Sequence, residues 1–201
     1  MAVTPHSLGI VRSGDREPTP WKNGQGATRE IARRLLGIRG PHFVWRLSVS
    51  DLEKDADFGE FTGVQRSATL VHGDGVDLEV AGTTHSLGRF ESVTFDGALE
   101  AHARLTHGPV SILNVFTVAN RMDAAVRVAD LSDGRPLSIA GATVLVVLGG
   151  SASVYAADGA SGNLAPLDAL VPRPRVRLVS GNGMVAVVRM ENYRAWRAFS
   201  W

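Results

Sequence analysis

The stretch LVHGDGVDL at residues 70–78 lines up with VVLGGSASV at residues 146–154, and this internal repeat decides the expected fold. Each copy consists of an apolar run, a glycine turn and a second run, followed by a loop and a return segment. Gly73 lies 14 residues before Leu87, where the first return segment begins; the equivalent spacing in the second copy is 15 residues. The near-equal spacing predicts one plan used twice, as in the hairpins of a jelly roll.

Alternation of apolar and polar residues extends the β-strand interpretation along the chain. In VWRLSVS at residues 44–50, the residues at 45, 47 and 49 are apolar and those at 46, 48 and 50 are polar. Similar alternation at residues 76–80 and 99–105 indicates half-buried strands. Residues 143–148 and 184–188 form apolar runs, as expected for strands that are covered on both faces.

We therefore predict an all-β fold and, more specifically, a bicupin of the RmlC-like jelly-roll type, with two cupin-type barrels or sandwiches packed in one compact chain. Residues 1–120 would form an N-terminal cupin part that carries the ligand site, and residues 121–201 a C-terminal cupin part. The seam is expected within residues 120–136, where Asp, Arg and Gly cluster. Helical spacing is scarce, and the stretch at residues 31–36 that shows it suits a strand equally well.

The bulk composition is that of an ordinary globular protein. Of the 201 residues, 44% are hydrophobic, and 21 Lys plus Arg stand against 20 Asp plus Glu. Without a strong net charge the chain is not expected to bind nucleic acid or an anionic membrane. Cysteine is absent, which excludes disulfides and thiolate metal sites and fits a reducing compartment. No leader or long apolar span is evident, so we expect a soluble, cytoplasmic protein.

The segment WKNGQGATREI at residues 21–31 carries more side-chain chemistry than a connecting loop needs. Two glycines let the backbone turn tightly or approach another group closely. Around them stand an aromatic ring, an ammonium group, an amide, a hydroxyl and a carboxylate, which suit a site for a small polar ligand. The alternative is a structural turn in which Trp21 covers the edge of the core while Lys22 and Glu30 are solvated.

Three polar residues occupy positions where apolar ones are the default. Arg46 lies within a strong strand, Arg66 just precedes an apolar run, and Asn114 shares a face with Ile112. Burying such groups costs free energy unless their hydrogen bonds are satisfied, so each needs partners or a wet cavity. Together with Lys22 they would form a cationic, amide-lined concavity suited to a carboxylate. Each could instead be a satisfied structural group, or, for Arg46, a solvent-facing one.

Neither a metal centre nor a catalytic nucleophile is indicated. No His-x-His pair is followed by a nearby Glu, although the chain has six histidines: His6, His42, His72, His85, His102 and His107. The sequence has no cysteine, no Gly-x-Ser-x-Gly motif and no complete dinucleotide-binding glycine pattern. We therefore expect no bound metal, no cofactor and no assigned catalytic residue.

Four blocks resemble the HutD/Ves family, small bacterial cupin-fold proteins associated with histidine utilisation. The first is residues 21–31, similar to the family pattern Trp-Lys-Asn-Gly-x-Gly-x-Thr-x-Glu-Ile, and the second is HFVWRLS at residues 42–48. The others are DADFGEFTGVQR at residues 55–66 and GPVSILNVF at residues 108–116. Six residues depart from the family pattern: Ala56, Asp57, Thr62, Gln65, Ile112 and Phe116. Those at 65 and 112 each replace an acid, which changes the charge near the arginines.

The resemblance implies a metal-free bicupin that has no established enzymatic activity. It further implies a role in sensing or limiting histidine catabolism by binding a pathway intermediate such as a formylated glutamate. The alternative from another class is a metal-independent, isomerase-like cupin enzyme acting on a small acid, with Glu30, Lys22 or a histidine as acid and base. Whether the protein forms a homodimer is left open.

We predict that seven residues converge on one cavity that binds a small carboxylate-bearing molecule: Lys22, Asn23, Thr28, Glu30, Arg46, Arg66 and Asn114. Arg46 would grip the carboxylate, because a guanidinium can hold both oxygens and this one lies on a rigid strand. Lys22 would close over the ligand, and Glu30 would orient a cation rather than transfer a proton. Removing Arg46 should weaken binding by roughly 2 to 5 kcal/mol.

Overall fold

A computed structural model describes residues 8–35, 43–173 and 176–192. Every regular element in these residues is a β-strand, which confirms the all-β prediction, and none is a helix that could cross a membrane. The strands are β1 (Ile10–Val11), β2 (Thr19–Pro20), β3 (Gly26–Arg34), β4 (Trp45–Leu52), β5 (Ala56–Phe58), β6 (Val64–His72), β7 (Val76–Val80), β8 (Thr83–Leu87), β9 (Ser92–Asp96), β10 (Ala101–Arg104), β11 (Val110–Val118), β12 (Met122–Asp130), β13 (Leu137–Ser138), β14 (Val144–Ala156), β15 (Ser161–Leu164), β16 (Ala169–Leu170) and β17 (Val176–Asn192).

The described residues divide into two compact units. Unit 1 contains residues 8–16 and 124–190, and unit 2 contains residues 17–123 with 191 and 192. The boundary near Asp123 lies in the stretch that the sequence analysis proposed as a seam. Residues 8–16, which the sequence analysis placed in the N-terminal part, belong instead with the C-terminal residues, because β1 pairs antiparallel with β16.

Unit 2 is built from two antiparallel sheets. The larger has the strand order β2-β3-β4-β11-β6-β9, and the smaller has the order β5-β10-β7-β8. One hydrophobic core draws side chains from both sheets, including Leu52, Leu70 and Ile112 from the first and Leu78 and Ala103 from the second. The pairing of the two inner faces accounts for the complete burial of these apolar residues.

The inner face of the larger sheet changes from charged to apolar along its strands. Because residues two apart share a face, the antiparallel register of β4, β11 and β6 places equivalent residues in rows across the three strands. The successive rows are Arg46, Phe116 and Arg66; Ser48, Asn114 and Ala68; and Ser50, Ile112 and Leu70. The polar end of this face forms the site described below, and the apolar end joins the core.

The expectation of half-buried strands is wrong for β4. Ser48 is 1% exposed and Ser50 is 3% exposed, although both lie on the face that alternation identified as polar. The two serines lie on the inward-facing side of β4, so their polarity indicates that they line a cavity and not that they contact solvent. The stretch with helical spacing is strand β3 as far as Arg34; Leu36 lies outside the described residues.

The glycine repeat does not form two equivalent hairpins, so that prediction is wrong. Gly73 follows β6 of the larger sheet and precedes β7 of the smaller one, so the first glycine turn connects two sheets. The second copy lies entirely within the single strand β14, whose register shifts between Val147 and Gly149. The glycines therefore allow a bulge in a continuous strand rather than a reversal.

Unit 1 is a seven-stranded sheet with the main order β1-β16-β14-β17-β12, and β13 and β15 pair with β17 and β14. Its core includes Leu145, Val147, Val185 and Val187, which confirms that the two apolar runs are strands buried on both faces. At the bulge, Gly150 has a φ of 73°, and a β-carbon there would overlap the carbonyl oxygen of Asn182. Only glycine allows β14 and β17 to approach this closely.

Candidate functional site

A cavity of about 690 Å³ opens at the polar end of the inner face of unit 2. It is lined by Thr19, Pro20, Trp21, Lys22, Asn23, Thr28, Arg46, Ser48, Ser50, Asp57, Phe58, Gly59, Phe61, Arg66 and Phe116. Five of the seven predicted site residues are in this lining. The other two, Glu30 and Asn114, are not in the lining but hydrogen-bond to Arg46 and Arg66 respectively.

Arg66 is a buried cation that no carboxylate neutralises among the described residues. Its side chain is 3% exposed, and its guanidinium carbon lies 3.9 Å from the ring centre of Phe58 and 5.2 Å from that of Phe116. Burial lowers the pKa of Arg66 to about 9, because removing a guanidinium from water disfavours its charged form. The aromatic rings compensate for only part of that cost, since a cation–π contact contributes roughly 0.5 to 2 kcal/mol.

Asn114 fixes the orientation of this guanidinium. Its side-chain oxygen accepts from both Nε and Nη2 of Arg66, at 3.0 and 2.6 Å. Its amide nitrogen donates to Ser50 Oγ and to the carbonyl oxygen of Ile112, each at 3.1 Å. All of its usual hydrogen-bonding positions are then occupied, while Nη1 of Arg66 has no hydrogen-bond partner among the described residues.

A chain of hydrogen bonds links this pair to the glycine loop. The indole Nε1 of Trp21 donates to Thr28 Oγ1 at 2.7 Å, and Thr28 Oγ1 lies 2.9 Å from Ser50 Oγ. Trp21 also packs edge-on against Phe58, with ring centres 5.6 Å apart. The loop that carries Trp21 and the buried pair of Arg66 and Asn114 are therefore parts of one connected structure.

Arg46 lies in the same lining but has a carboxylate partner. Its Nε donates to Glu30 Oε2 at 3.0 Å, and the other oxygen of Glu30 lies 3.3 Å from Nε of Arg33. Arg46 is 25% exposed, so it is better hydrated than Arg66. Its charge is offset before any ligand arrives, which makes Arg66 the stronger candidate for holding an anion.

The glycine loop is anchored to the segment that precedes Phe58. Asn23 Nδ2 donates to the side chain of Gln25 at 2.6 Å and to the carbonyl oxygen of Asp57 at 3.2 Å. The backbone N–H of Asp57 in turn donates to Gln25 Oε1. Gly24, with a φ of 66°, makes the turn. Asn23 thus holds the loop in place, and Lys22 lies exposed at the rim of the cavity.

Ser48 is the most unusual polar group of the lining. It is 1% exposed, and its hydroxyl has no hydrogen-bond partner among the described residues. A buried hydroxyl without a partner costs roughly 1 to 3 kcal/mol. A ligand in the cavity that hydrogen-bonds to this hydroxyl would offset that cost.

Several lining residues were not predicted, although the sequence contained a signal for some of them. Ser48 and Ser50 follow from Arg46, because residues two apart in a strand share a face. Phe58 and Phe61 lie in the block at residues 55–66, but no spacing rule indicated that Phe58 would face Arg66 or that Phe61 would pack against Phe116.

Other chemistry has little support in the part of the chain that the structure describes. No group of three metal-ligating side chains occurs there, and His6 and His42 lie outside it. The absence of a metal and of a cofactor thus stays a prediction. His102 Nδ1 lies 2.6 Å from Oδ1 of Asp57, which is part of the cavity lining.

Comparisons with known proteins identify relatives of this chain. A family model described as HutD matches residues 13–187. Protein Ves of Citrobacter koseri is 41% identical over 112 residues, which are 55% of this chain and 58% of that protein. An uncharacterized 21.2 kDa protein in the hutC 3' region of Pseudomonas putida is 35% identical over 122 residues, 60% of this chain and 63% of that protein. The chain thus spans about three fifths of the length of these curated relatives.

Solved structures extend the likeness to almost the whole chain. HutD from Pseudomonas fluorescens SBW25 matches with a TM-score of 0.73 and 28% identity, covering 92% of this chain and 99% of that one. A cupin 2 conserved barrel domain protein from Leptotrichia buccalis matches with a TM-score of 0.56 over 90% of this chain and 96% of that one. Because the two sequences are only 10% identical, this structural match is evidence for the fold alone, and that fold is cupin-like.

Proposed function

This chain belongs to the HutD family, as the sequence resemblance predicted, and from that premise and the cavity of unit 2 we propose that it binds a small carboxylate without chemical turnover. The family is the one that the sequence analysis associated with histidine utilisation. We propose further that the two units are the two cupin parts of a bicupin.

The observation that carries the proposal is the state of Arg66. Its positive charge is 3% exposed, faces aromatic rings and is hydrogen-bonded to a neutral amide. A desolvated cation without an anionic partner is costly, and an anion in the cavity would remove that cost. A carboxylate suits it, because a guanidinium can bind two oxygens through parallel hydrogen bonds.

The size and lining of the cavity support a small organic ligand rather than an inorganic ion. A volume of about 690 Å³ falls in the range of roughly 300 to 1,000 Å³ that is common for small-molecule sites. Walls formed by Trp21, Phe58 and Phe116 would cover the carbon skeleton, while Arg66 and Arg46 would face charged ends. Formylated glutamate, the pathway intermediate that the resemblance implies, has two carboxylates and is our proposed ligand. Binding it would allow the protein to sense or limit histidine catabolism.

The isomerase-like alternative has less support from the contacts of Glu30. A general base needs a carboxylate that is free to take a proton from a substrate. Both oxygens of Glu30 face arginines, with Arg46 at 3.0 Å and Arg33 at 3.3 Å. Lys22 is exposed at the rim of the cavity. Neither group therefore has the setting of a proton-transfer residue.

Isothermal titration calorimetry with formylated glutamate, glutamate and succinate tests the proposal directly. We expect wild-type protein to bind at least one of them, and Arg66→Met to bind it at least 30-fold more weakly, since a desolvated charge pair is lost. Arg104→Met is the matched control, because Arg104 is an exposed arginine of the same unit that pairs with Glu79. Undetectable binding of all three acids, or equal affinities for wild type and Arg66→Met, would contradict the proposal.

A further inference from the structure

Two hydroxyl groups of the cavity have hydrogens that no described residue accepts. The first belongs to Ser48, whose buried hydroxyl has no hydrogen-bond partner. The second belongs to the pair formed by Thr28 and Ser50, whose oxygens lie 2.9 Å apart. Only one hydrogen is needed between them, so the other is free to donate elsewhere.

The direction of the hydrogen bonds around Thr28 and Ser50 follows from their neighbours. Trp21 Nε1 can only donate, so it occupies a lone pair of Thr28 Oγ1. The amide nitrogen of Asn114 can only donate, so it occupies a lone pair of Ser50 Oγ. Whichever hydroxyl donates to the other, this pair accepts from the protein and has one hydrogen left for a ligand.

These hydroxyls lie side by side in the lining. Ser48 and Ser50 are on the same face of β4 and are separated by about 7 Å along the strand. Thr28 is the register partner of Ser50 on β3. We call Ser48, Ser50 and Thr28 the hydroxyl row. Arg46 lies next to this row on the same face of β4. Across the sheet, Asn114 is the register partner of Ser48 and accepts a hydrogen bond from Arg66.

We infer that the hydroxyl row is a second ligand subsite that binds an uncharged carbonyl oxygen, while the arginines take the carboxylate. This inference rests on the proposed function and narrows its ligand to acids that also carry a ketone, aldehyde or acyl-amide carbonyl. A carbonyl oxygen accepts two hydrogen bonds and brings no hydrogen that needs a partner. An ammonium group in the same place would bring more hydrogens to donors that already lack an acceptor, and Arg66, which no described carboxylate neutralises, would repel it.

Calorimetry with matched pairs of acids tests the inference. The probes are alkanoates and the oxo acids of equal length, with the carbonyl at carbon 2, 4 or 5, together with N-acetylglycine. For at least one pair, the oxo acid should bind wild-type protein about tenfold more tightly than its alkanoate. Tenfold corresponds to ~1.4 kcal/mol, in the range of one net hydrogen bond.

Ser48→Ala should abolish that advantage, so that the oxo acid and its alkanoate bind the variant with affinities within about twofold of each other. Ser67→Ala is the matched control, because Ser67 is a buried serine of the same sheet that lies outside the lining and accepts a hydrogen bond from Thr94. The control should keep the full advantage of the oxo acid. Ser48→Cys, which keeps the size but is a weak donor, should behave as Ser48→Ala does.

The outcomes separate this inference from the proposed function. If alkanoates bind in an Arg66-dependent way but no oxo acid binds better, the hydroxyl row is not a carbonyl subsite and the proposed function stands. If an oxo acid binds better than its alkanoate and Ser48→Ala keeps that difference, the hydroxyl row is likewise not a carbonyl subsite and the proposed function stands. If no acid of either series binds, the inference fails, whereas the proposed function fails only if formylated glutamate, glutamate and succinate do not bind either.

Discussion

Replacing Arg66 by methionine should make the ligand-free protein more stable while it weakens carboxylate binding at least 30-fold. Methionine keeps an unbranched stem that can pack against Phe58 and Phe116, but it has no charge to desolvate. Most substitutions of a buried residue destabilise a protein. A gain in stability coupled to a loss of binding would therefore distinguish a functional cation from a structural one.

The expected gain follows from the desolvation of the guanidinium. Burial lowers the pKa of Arg66 by more than three units from its ordinary value, to about 9. At ~1.4 kcal/mol per pKa unit, the charged form costs the folded state about 5 kcal/mol at neutral pH. The substitution forfeits roughly 1 kcal/mol of cation–π contact and about 2 kcal/mol because the oxygen of Asn114 loses its donors. The net expectation is a stabilisation of about 2 kcal/mol.

Urea unfolding at pH 7, without small carboxylates, measures this difference through the shift of the midpoint at constant slope. Arg104→Met again serves as the control and should change the free energy of unfolding by less than about 1 kcal/mol, because its ion pair with Glu79 is exposed. A loss of 2 kcal/mol or more in Arg66→Met would refute the reasoning. It would mean that Arg66 is a satisfied structural group.

The pH dependence gives a second measurement of the same quantity. The pKa of Arg66 is lower in the folded state, so between pH 9 and the ordinary pKa the unfolded chain binds more protons. The contribution of Arg66 to the free energy of unfolding therefore rises with pH in that interval. The advantage of Arg66→Met should be constant up to about pH 8 and shrink by about 1 kcal/mol by pH 10. An advantage that grows with pH would contradict the assignment of desolvation as the cause.

Three further predictions concern other groups. Asp168→Ala should lower the free energy of unfolding by about 3 kcal/mol at pH 7. Burial raises the pKa of Asp168, but its hydrogen bonds from Ser13, Ala165 and Arg12 lower the pKa overall. The stabilisation by Asp168, measured by urea unfolding, should therefore fade as the pH falls below about 4. Gly150→Ala should lower the free energy of unfolding by more than about 3 kcal/mol and Gly82→Ala by only about 1 kcal/mol. Both glycines have a positive φ, but only at Gly150 would an added β-carbon overlap another atom. Equal losses in the two variants would refute this explanation. Glu30→Gln should tighten carboxylate binding by roughly threefold in calorimetry, since Arg46 would lose its neutralising partner, and weaker binding would contradict that role.

The candidate site was largely predictable because its residues break the local pattern. Arg66 and Asn114 stand in apolar strands, and each has a structural explanation only if it has partners. The relative importance of the two arginines was not predictable. Glu30 neutralises Arg46 across β3 and β4, whose register shifts between Glu30 and Ala32, and that irregularity has no signature in the sequence. Arg46 therefore appeared to be the better anchor, whereas Arg66 has the stronger structural case.

The fold was predictable strand by strand but not in its connections. Alternation and apolar runs identified β4, β7 and β14 correctly. The glycine repeat misled because glycine relaxes the backbone without determining what the chain does next. At Gly73 the chain passes from one sheet to another, and at Gly150 it continues in the same strand across a bulge. Which of these occurs depends on the strands that pair on either side, and those lie far away in sequence.

The polar face of β4 shows where sequence reasoning reaches its limit and what resolves it. Alternation marks Arg46, Ser48 and Ser50 as one face, but solvent and a polar cavity demand the same residue types. Burial separates the two cases: a face turned to water would leave the serines exposed, whereas both are nearly inaccessible. Once they are buried, each hydrogen bond must be accounted for within the protein or assigned to a ligand. That accounting leaves Arg66 without an anion and Ser48 without an acceptor, so a molecule that supplies both would complete this face.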